Sequence, residues 1–241
     1  MANNLDQIML DKIVEKLRKA LDKSLVSVVL YGSAATGDHH EKFSDYNILA
    51  VLTKITSDEL RAAEPVFRWW REQGNPSPLL LTEHELKTST DCFAIEFHDI
   101  RDHHRILYGP DLVGSLEIDR SFYRAQVESQ LRTKLLRLRQ KAGGVLSDKE
   151  ALRGLLADSV STFCVLFRHA LLLDGVEAPV LKREIVASAG QHFGIDAAPF
   201  LTLLDQREQK VRAKDIEPEP LFARYIIQID KVIDAVDVLA K

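Results

Sequence analysis

The sequence predicts an α+β chain: a small mixed β-sheet with flanking helices, then an all-helical bundle. Two apolar runs in the first half, residues 26–31 and 46–52, have the length and β-branched content of buried strands. Amphipathic stretches precede and separate them. Beyond about residue 120 only helical spacing remains. The boundary falls within 115–121, so residues 1–118 form the mixed domain and 119–241 the helical one.

The elements follow in order. Residues 5–22 place Leu10, Ile13, Val14, Leu17 and Leu21 on one helical stripe. The first strand ends at Gly32, and small residues from Ser33 to Gly37 open a short helix. A polar loop, 38–43, precedes the second strand. A helix over 57–73 starts behind Thr56, with Glu59 completing a capping box. Pro65 lies inside this span and marks a kink or a division into two. Asn75-Pro76-Ser77-Pro78 forms a turn, and 79–81 is a short strand. In 92–100, Phe93, Ile95 and Phe97 alternate with Ala94, Glu96 and His98, which predicts another strand. In the second half, Val127, Leu131, Leu135 and Leu138 form a stripe that stops at Gly143-Gly144. Further helices follow around 152–170, 181–193, 199–206 and 221–239, with an exposed connection over 207–220.

With 241 residues, 46% hydrophobic and 28% charged, the chain can bury a real core. A net charge of −4 argues against duplex nucleic acid and favours a small or protein substrate. Cys92 and Cys164 lack metal-ligand spacing, and so few cysteines suit a reducing compartment. No apolar run approaches the roughly 20 residues of a membrane span. The polar start, 1–6, does not read as a signal peptide. A cytoplasmic location with no membrane partner is the expectation.

The chemistry-bearing segment runs Leu30-Tyr31-Gly32-Ser33, then Phe43-Ser44-Asp45-Tyr46-Asn47. Gly32 lets a phosphate approach the backbone, and the Ser33 hydroxyl can donate to phosphate oxygens. Asp45 and Asn47, two apart on a strand, point to one face. Two oxygen ligands so placed suit Mg²⁺, which needs few protein ligands when phosphates complete its shell.

This arrangement resembles the nucleotidyltransferase superfamily of DNA polymerase β-like fold, including minimal nucleotidyltransferases and aminoglycoside adenylyltransferases. The signature there is Gly-Ser, a spacer, then Asp-x-Asp on the next strand. The resemblance covers roughly residues 20–120. It implies Mg²⁺-dependent transfer of a nucleoside monophosphate, AMP from ATP by the family's habit, to a hydroxyl of a small molecule or protein. Gly32, Ser33 and Ser44 would bind the nucleotide, and Asp45 would be catalytic and metal-binding. Asn47 stands where the family pattern has the second Asp. The third carboxylate is Glu96, a catalytic and metal-binding candidate, with Asp99 as the other choice.

Asparagine keeps one ligand oxygen but brings no negative charge and cannot bridge two ions as a carboxylate does. Three readings stay open: a working enzyme with a modified metal site, a nucleotide-holding module without turnover, or a protein-interaction module such as a toxin–antitoxin component. On the first helix of the second half, Lys134 and Arg137 share a face, and in related folds such a helix reaches a triphosphate. Lys134 is therefore a nucleotide-binding candidate, weighed against a solvated face. Of Trp69-Trp70, one is core and the other a partly exposed lid. His39-His40 and His103-His104 read as surface residues, since adjacent side chains diverge. An oligomer is allowed.

Overall fold

The computed structural model of the chain describes residues 4–36 and 46–239. Two compact units divide it, Met1–Asp119 and Arg120–Lys241.

In the first unit, α1 (Asn4–Leu21) leads to β1 (Leu25–Tyr31) and the one-turn α2 (Ser33–Thr36). β2 (Asn47–Leu52), α3 (Ser57–Glu72), β3 (Leu79–Thr82) and α4 (Glu83–Thr88) follow, then α5 (Ala94–Asp102) and β4 (His104–Tyr108). The sheet order is β3-β2-β1-β4. β1 runs antiparallel to β2 and β4, whereas β2 and β3 are parallel, so the sheet is mixed.

Both sheet faces are covered, which explains why β1 and β2 read as continuous apolar runs. Val28, Leu30, Ile48, Ala50 and Leu52 pack with Leu10, Ile13 and Leu17 of α1 and with Ala63, Val66 and Trp70 of α3. Val29, Leu49 and Val51 face the other way, onto Leu86 of α4 and Phe97 and Ile100 of α5. Each such aliphatic side chain, removed from water, stabilises the fold by roughly 1.5–3 kcal/mol. The odd-numbered residues of β2 therefore look toward α4 and α5, and the even ones toward α1 and α3.

Three local expectations change. Residues 94–102 form a helix, not a strand. Their buried side chains, Ala94, Ile95, Phe97, His98 and Ile100, recur at helical spacing, while Phe93 is exposed. α3 runs unbroken through Pro65, whose ring lies on the exposed side. Two short elements escaped the sequence reading, α4 and the edge strand β4. The expected helix to Gly37 is seen as Ser33–Thr36. The loop 38–43 lies outside the described residues.

β4 is anchored at its far end. The Ser27 hydroxyl lies 3.1 Å from the Tyr108 carbonyl and 2.9 Å from that of Pro110, both of which it can serve. Gly109 follows at φ +77°, where an added Cβ would stand 2.1 Å from the Val26 carbonyl oxygen. Only glycine fits there.

The second unit is helical, as its periodicity predicts: α6 (Tyr123–Gly143), α7 (Lys149–Leu173), α8 (Lys182–Phe193), α9 (Ala198–Arg207) and α10 (Pro218–Asp237). α7 is long and apolar enough, by length and composition, to cross a membrane. Here it is the central helix, packed by α6, α8, α9 and α10 and burying Leu152, Leu156, Val160, Phe163 and Phe167. Inside, the Tyr123 hydroxyl meets His169 Nδ1 at 2.5 Å, and Tyr225 meets Ser159 at 3.1 Å. The two prolines assigned to an exposed connection, Pro218 and Pro220, instead open α10, where a missing N–H costs nothing.

Candidate active site

The candidate site lies at one end of the sheet, where β1 finishes and β2 begins. Tyr31, the last residue of β1, pairs with Asn47, the first of β2, and on its other side with His104 of β4. Directly opposed residues on antiparallel strands point to the same face. The three side chains thus form a row on the α4–α5 side.

Gly32 continues from Tyr31 at φ +79°, a conformation glycine adopts without penalty. A Cβ here would stand 3.2 Å from Asn47 Nδ2, so the amide rests against the bare glycine backbone. The Gly32 N–H donates to the His103 carbonyl at 3.3 Å, and the Gly32 carbonyl accepts from Ala35 N–H at 2.9 Å. That second bond turns the chain into α2, with Ser33 as its first residue.

The start of β2 is pinned from the opposite side. Tyr46 N–H donates to Asn75 Oδ1 at 3.0 Å, and the Tyr46 ring lies 6.3 Å from Trp70. With Tyr46 turned toward α3, alternation sends Asn47 toward α5.

Glu96 stands exposed in the first turn of α5, which is anchored by Phe97 and Ile100. The expected strand is a helix, yet the carboxylate still approaches the row. Burial, and then the Glu96 charge, push the Tyr31 hydroxyl above its usual range. Asp99, three residues on, shares a helix face with Glu96. On a strand the two would have pointed apart; on the helix they are neighbours rather than alternatives.

His104 is held by two contacts. Its Nδ1 lies 2.9 Å from the Arg101 carbonyl and its Nε2 lies 3.2 Å from Asp111 Oδ2. Asp111 Oδ1 also accepts from the N–H groups of Gly114 at 2.8 Å and Val113 at 3.0 Å. The Gly114 amide first, and His104 after it, hold the Asp111 carboxyl below its usual range. Both His103 and His104 are half-buried, not surface residues, because His103 closes α5 and His104 begins an edge strand that the sequence reading missed. Of the tryptophans, Trp70 is core and Trp69 half-buried, with Lys12 and Lys16 over its ring at 5.3 and 4.9 Å.

The structure brings Gly32 and Asn47 together, sets Glu96 on α5 within electrostatic reach of Tyr31, and adds Tyr31 itself, which the sequence reading passed over. The register signal was available, since pairing the two strands end to end places Tyr31 opposite Asn47. Ser44, Asp45 and His39-His40 lie outside the described residues, as does the Ser33 side chain. Lys134 belongs to the second unit, half-buried on α6. Around it, Glu128 pairs with Arg124 and Arg132 at 2.8 Å each, and Arg139 pairs with Asp230. Among the described residues neither Lys134 nor Arg137 has an ion pair.

Among the described residues no group of three or more His, Cys, Asp or Glu is set to hold a metal ion. The candidate donors, the Asn47 amide and the Glu96 carboxylate, carry hard oxygens, a chemistry that suits Mg²⁺ rather than a thiolate-bound metal.

No family model matches the sequence, and no curated protein is similar to it. Among solved structures, the chain is similar to spectinomycin adenyltransferase AAD(9) from Enterococcus faecialis, seen with ATP and spectinomycin. The identity is 14% and the TM-score 0.61, over 98% of this chain and 100% of that one. A toxin–antitoxin structure with AMP-PNP overlaps 42% of this chain and 74% of its own, at 17% identity and TM-score 0.30. The tri-AMPylated Shewanella oneidensis HEPN toxin in complex with MNT antitoxin overlaps 59% and 96%, at 15% identity and TM-score 0.31. At those two scores neither overlap speaks for a shared fold. The AAD(9) match extends over the whole chain. This protein therefore has the fold of a nucleotidyltransferase, a small mixed sheet followed by a helical region.

Proposed function

We propose that the protein transfers a nucleoside monophosphate, AMP from ATP, to a hydroxyl group, with Mg²⁺. The observation that carries this reading is the strand pair itself. β1 delivers Gly32 with an open backbone, and β2 delivers Asn47 beside it, at the end of a sheet whose fold an adenyltransferase shares. The adenyltransferase is seen with ATP and spectinomycin, which supports a nucleotide and a small polyhydroxyl acceptor here. A protein hydroxyl is the other acceptor class.

In this reading the nucleotide phosphates lie against Gly32 and Ser33, with Ser44 beside them. Asp45, the Asn47 amide oxygen and Glu96 would hold Mg²⁺, which when bound would neutralise phosphate charge and orient the reacting phosphoryl group. The acceptor oxygen forms a bond to the α-phosphorus, and the bond from that phosphorus to the bridging oxygen of pyrophosphate breaks. Glu96, exposed on its helix, takes the acceptor proton. Asn47 also favours a second reading, a module that holds nucleotide without turnover, because the amide removes one charge from the metal site.

The direct test is Asp45→Ala. ATP binding in the presence of Mg²⁺, measured by calorimetry, is expected to disappear. Unchanged affinity would remove Asp45 from the site and the reading with it.

A further inference from the structure

Asn47 and Tyr31 sit side by side on β2 and β1, and both face α5. The Tyr31 ring is partly buried and packs against the cluster that contains Val29, Leu49 and Phe97. Among the described residues no hydrogen bond occupies the Tyr31 hydroxyl, nor the Asn47 amide. His104, the third member of the row, is already engaged by Arg101 and Asp111. Two free polar groups therefore remain, immediately beside the open backbone of Gly32.

Their chemistry is that of donors. An ionised carboxylate at position 47 could only accept hydrogen bonds, whereas the amide donates through Nδ2 while its Oδ1 stays free as a ligand. Nδ2 is the atom turned toward Gly32. The phenol adds a second neutral donor. Neutral donors can face an anionic oxygen without the repulsion that a carboxylate would bring.

We propose that Tyr31 and Asn47 bind a phosphate oxygen of the nucleotide directly, at the place where a second carboxylate would otherwise reach it through a metal ion. This rests on the nucleotide reading above and deepens it. The departure from Asp-x-Asp then gives up one charge at the metal and gains two direct hydrogen bonds to phosphate, with Asn47 Oδ1 still available as a ligand.

Calorimetric titration of ATP tests this, in Mg²⁺ and separately in EDTA, with wild type, Tyr31→Phe and Asn47→Asp. Tyr31→Phe is expected to weaken ATP by about tenfold, by the same factor in both media, because its contact needs no metal. Asn47→Asp is expected to change sign: weaker than wild type in EDTA, where the new charge repels phosphate, and tighter in Mg²⁺, where it recruits the ion. Damage to the fold cannot produce that reversal, so Asn47→Asp decides the matter even if Tyr31→Phe fails to fold. Wild-type affinity in a folded Tyr31→Phe protein would overturn the proposal, as would Asn47→Asp binding ATP in EDTA as well as wild type does. If wild type binds no ATP in Mg²⁺, the nucleotide reading itself falls and takes this inference with it. If wild type binds and the variants match it, only this inference falls.

Discussion

Two glycines show how much a single missing side chain can carry. Gly32 and Gly109 both adopt positive φ, but their surroundings differ. A Cβ at Gly32 meets the far end of the Asn47 side chain at 3.2 Å, which can shift. A Cβ at Gly109 meets the backbone carbonyl of Val26 at 2.1 Å, which cannot move without pulling β1. Gly32→Ala is therefore expected to cost about 1–2 kcal/mol, the ordinary penalty of the left-handed conformation. It should also weaken ATP binding, because the displaced amide covers the phosphate approach. Gly109→Ala is expected to cost roughly 3 kcal/mol or more. Urea denaturation of both variants checks the order. A Gly109→Ala protein as stable as Gly32→Ala would contradict the packing described for β4. Gly32 could be singled out from the sequence because it sits between an apolar run and Ser33. Gly109 could not, because its role depends on Val26, a residue far away in the chain.

Among the elements, α3 shows local chemistry that the sequence states outright. Thr56 caps the helix by accepting from Asp58 N–H at 3.2 Å. Glu59 Oε2 accepts in return from the Thr56 N–H at 3.0 Å and from its hydroxyl at 2.5 Å. The Thr56 hydroxyl first, and Lys54 after it, lower the Glu59 carboxyl to about 2. A group depressed on folding contributes stability above its unfolded value, about 4.3 for Glu, and loses it as pH falls through the folded value. Glu59→Gln should therefore melt at a lower temperature than wild type at pH 7, and the gap should close between about pH 4.5 and pH 2. A gap that stays constant across that window would contradict the assignment. Thr56→Ala is expected to cost about 1 kcal/mol by thermal melts at pH 7. The same Thr-x-x-Glu pattern stands at Thr82 and Glu85, where both reciprocal bonds form and open α4. That helix was legible in principle and was missed because it is short.

α5 was misread for a physical reason. Over nine residues, alternation and helical spacing overlap: Ile95 and Phe97 fit a strand, while Ala94, Phe97 and His98 fit a helix. Contact with the sheet decides between them, since Phe97 and Ile100 reach the same core only when spaced three apart on a helix. The helix changes how Glu96 and Asp99 relate: on a strand they would have pointed apart, whereas three apart on a helix they share a face.

At the scale of the whole chain, the change from mixed to all-helical character near residue 120 was readable because two different periodicities meet there. The structure divides into compact units at the same region, with an irregular, largely exposed stretch between β4 and α6. Limited proteolysis with a Glu-specific protease is expected to cut first after the exposed Glu117, leaving two folded fragments. Early cuts within α6 or α7 would contradict the division. The row of Asn47, Tyr31 and His104 was less legible than the fold, because strand register and the edge position of β4 are long-range properties.

The measurement that tests the central claim most directly is calorimetric titration of wild-type protein with ATP, with and without Mg²⁺, while the same samples are assayed for pyrophosphate. Spectinomycin serves as the first hydroxyl acceptor. The account predicts saturable ATP binding that Mg²⁺ strengthens and that stays measurable in EDTA, and release of pyrophosphate when an accepted hydroxyl is present. ATP binding that is absent at millimolar nucleotide, with or without Mg²⁺, would contradict it.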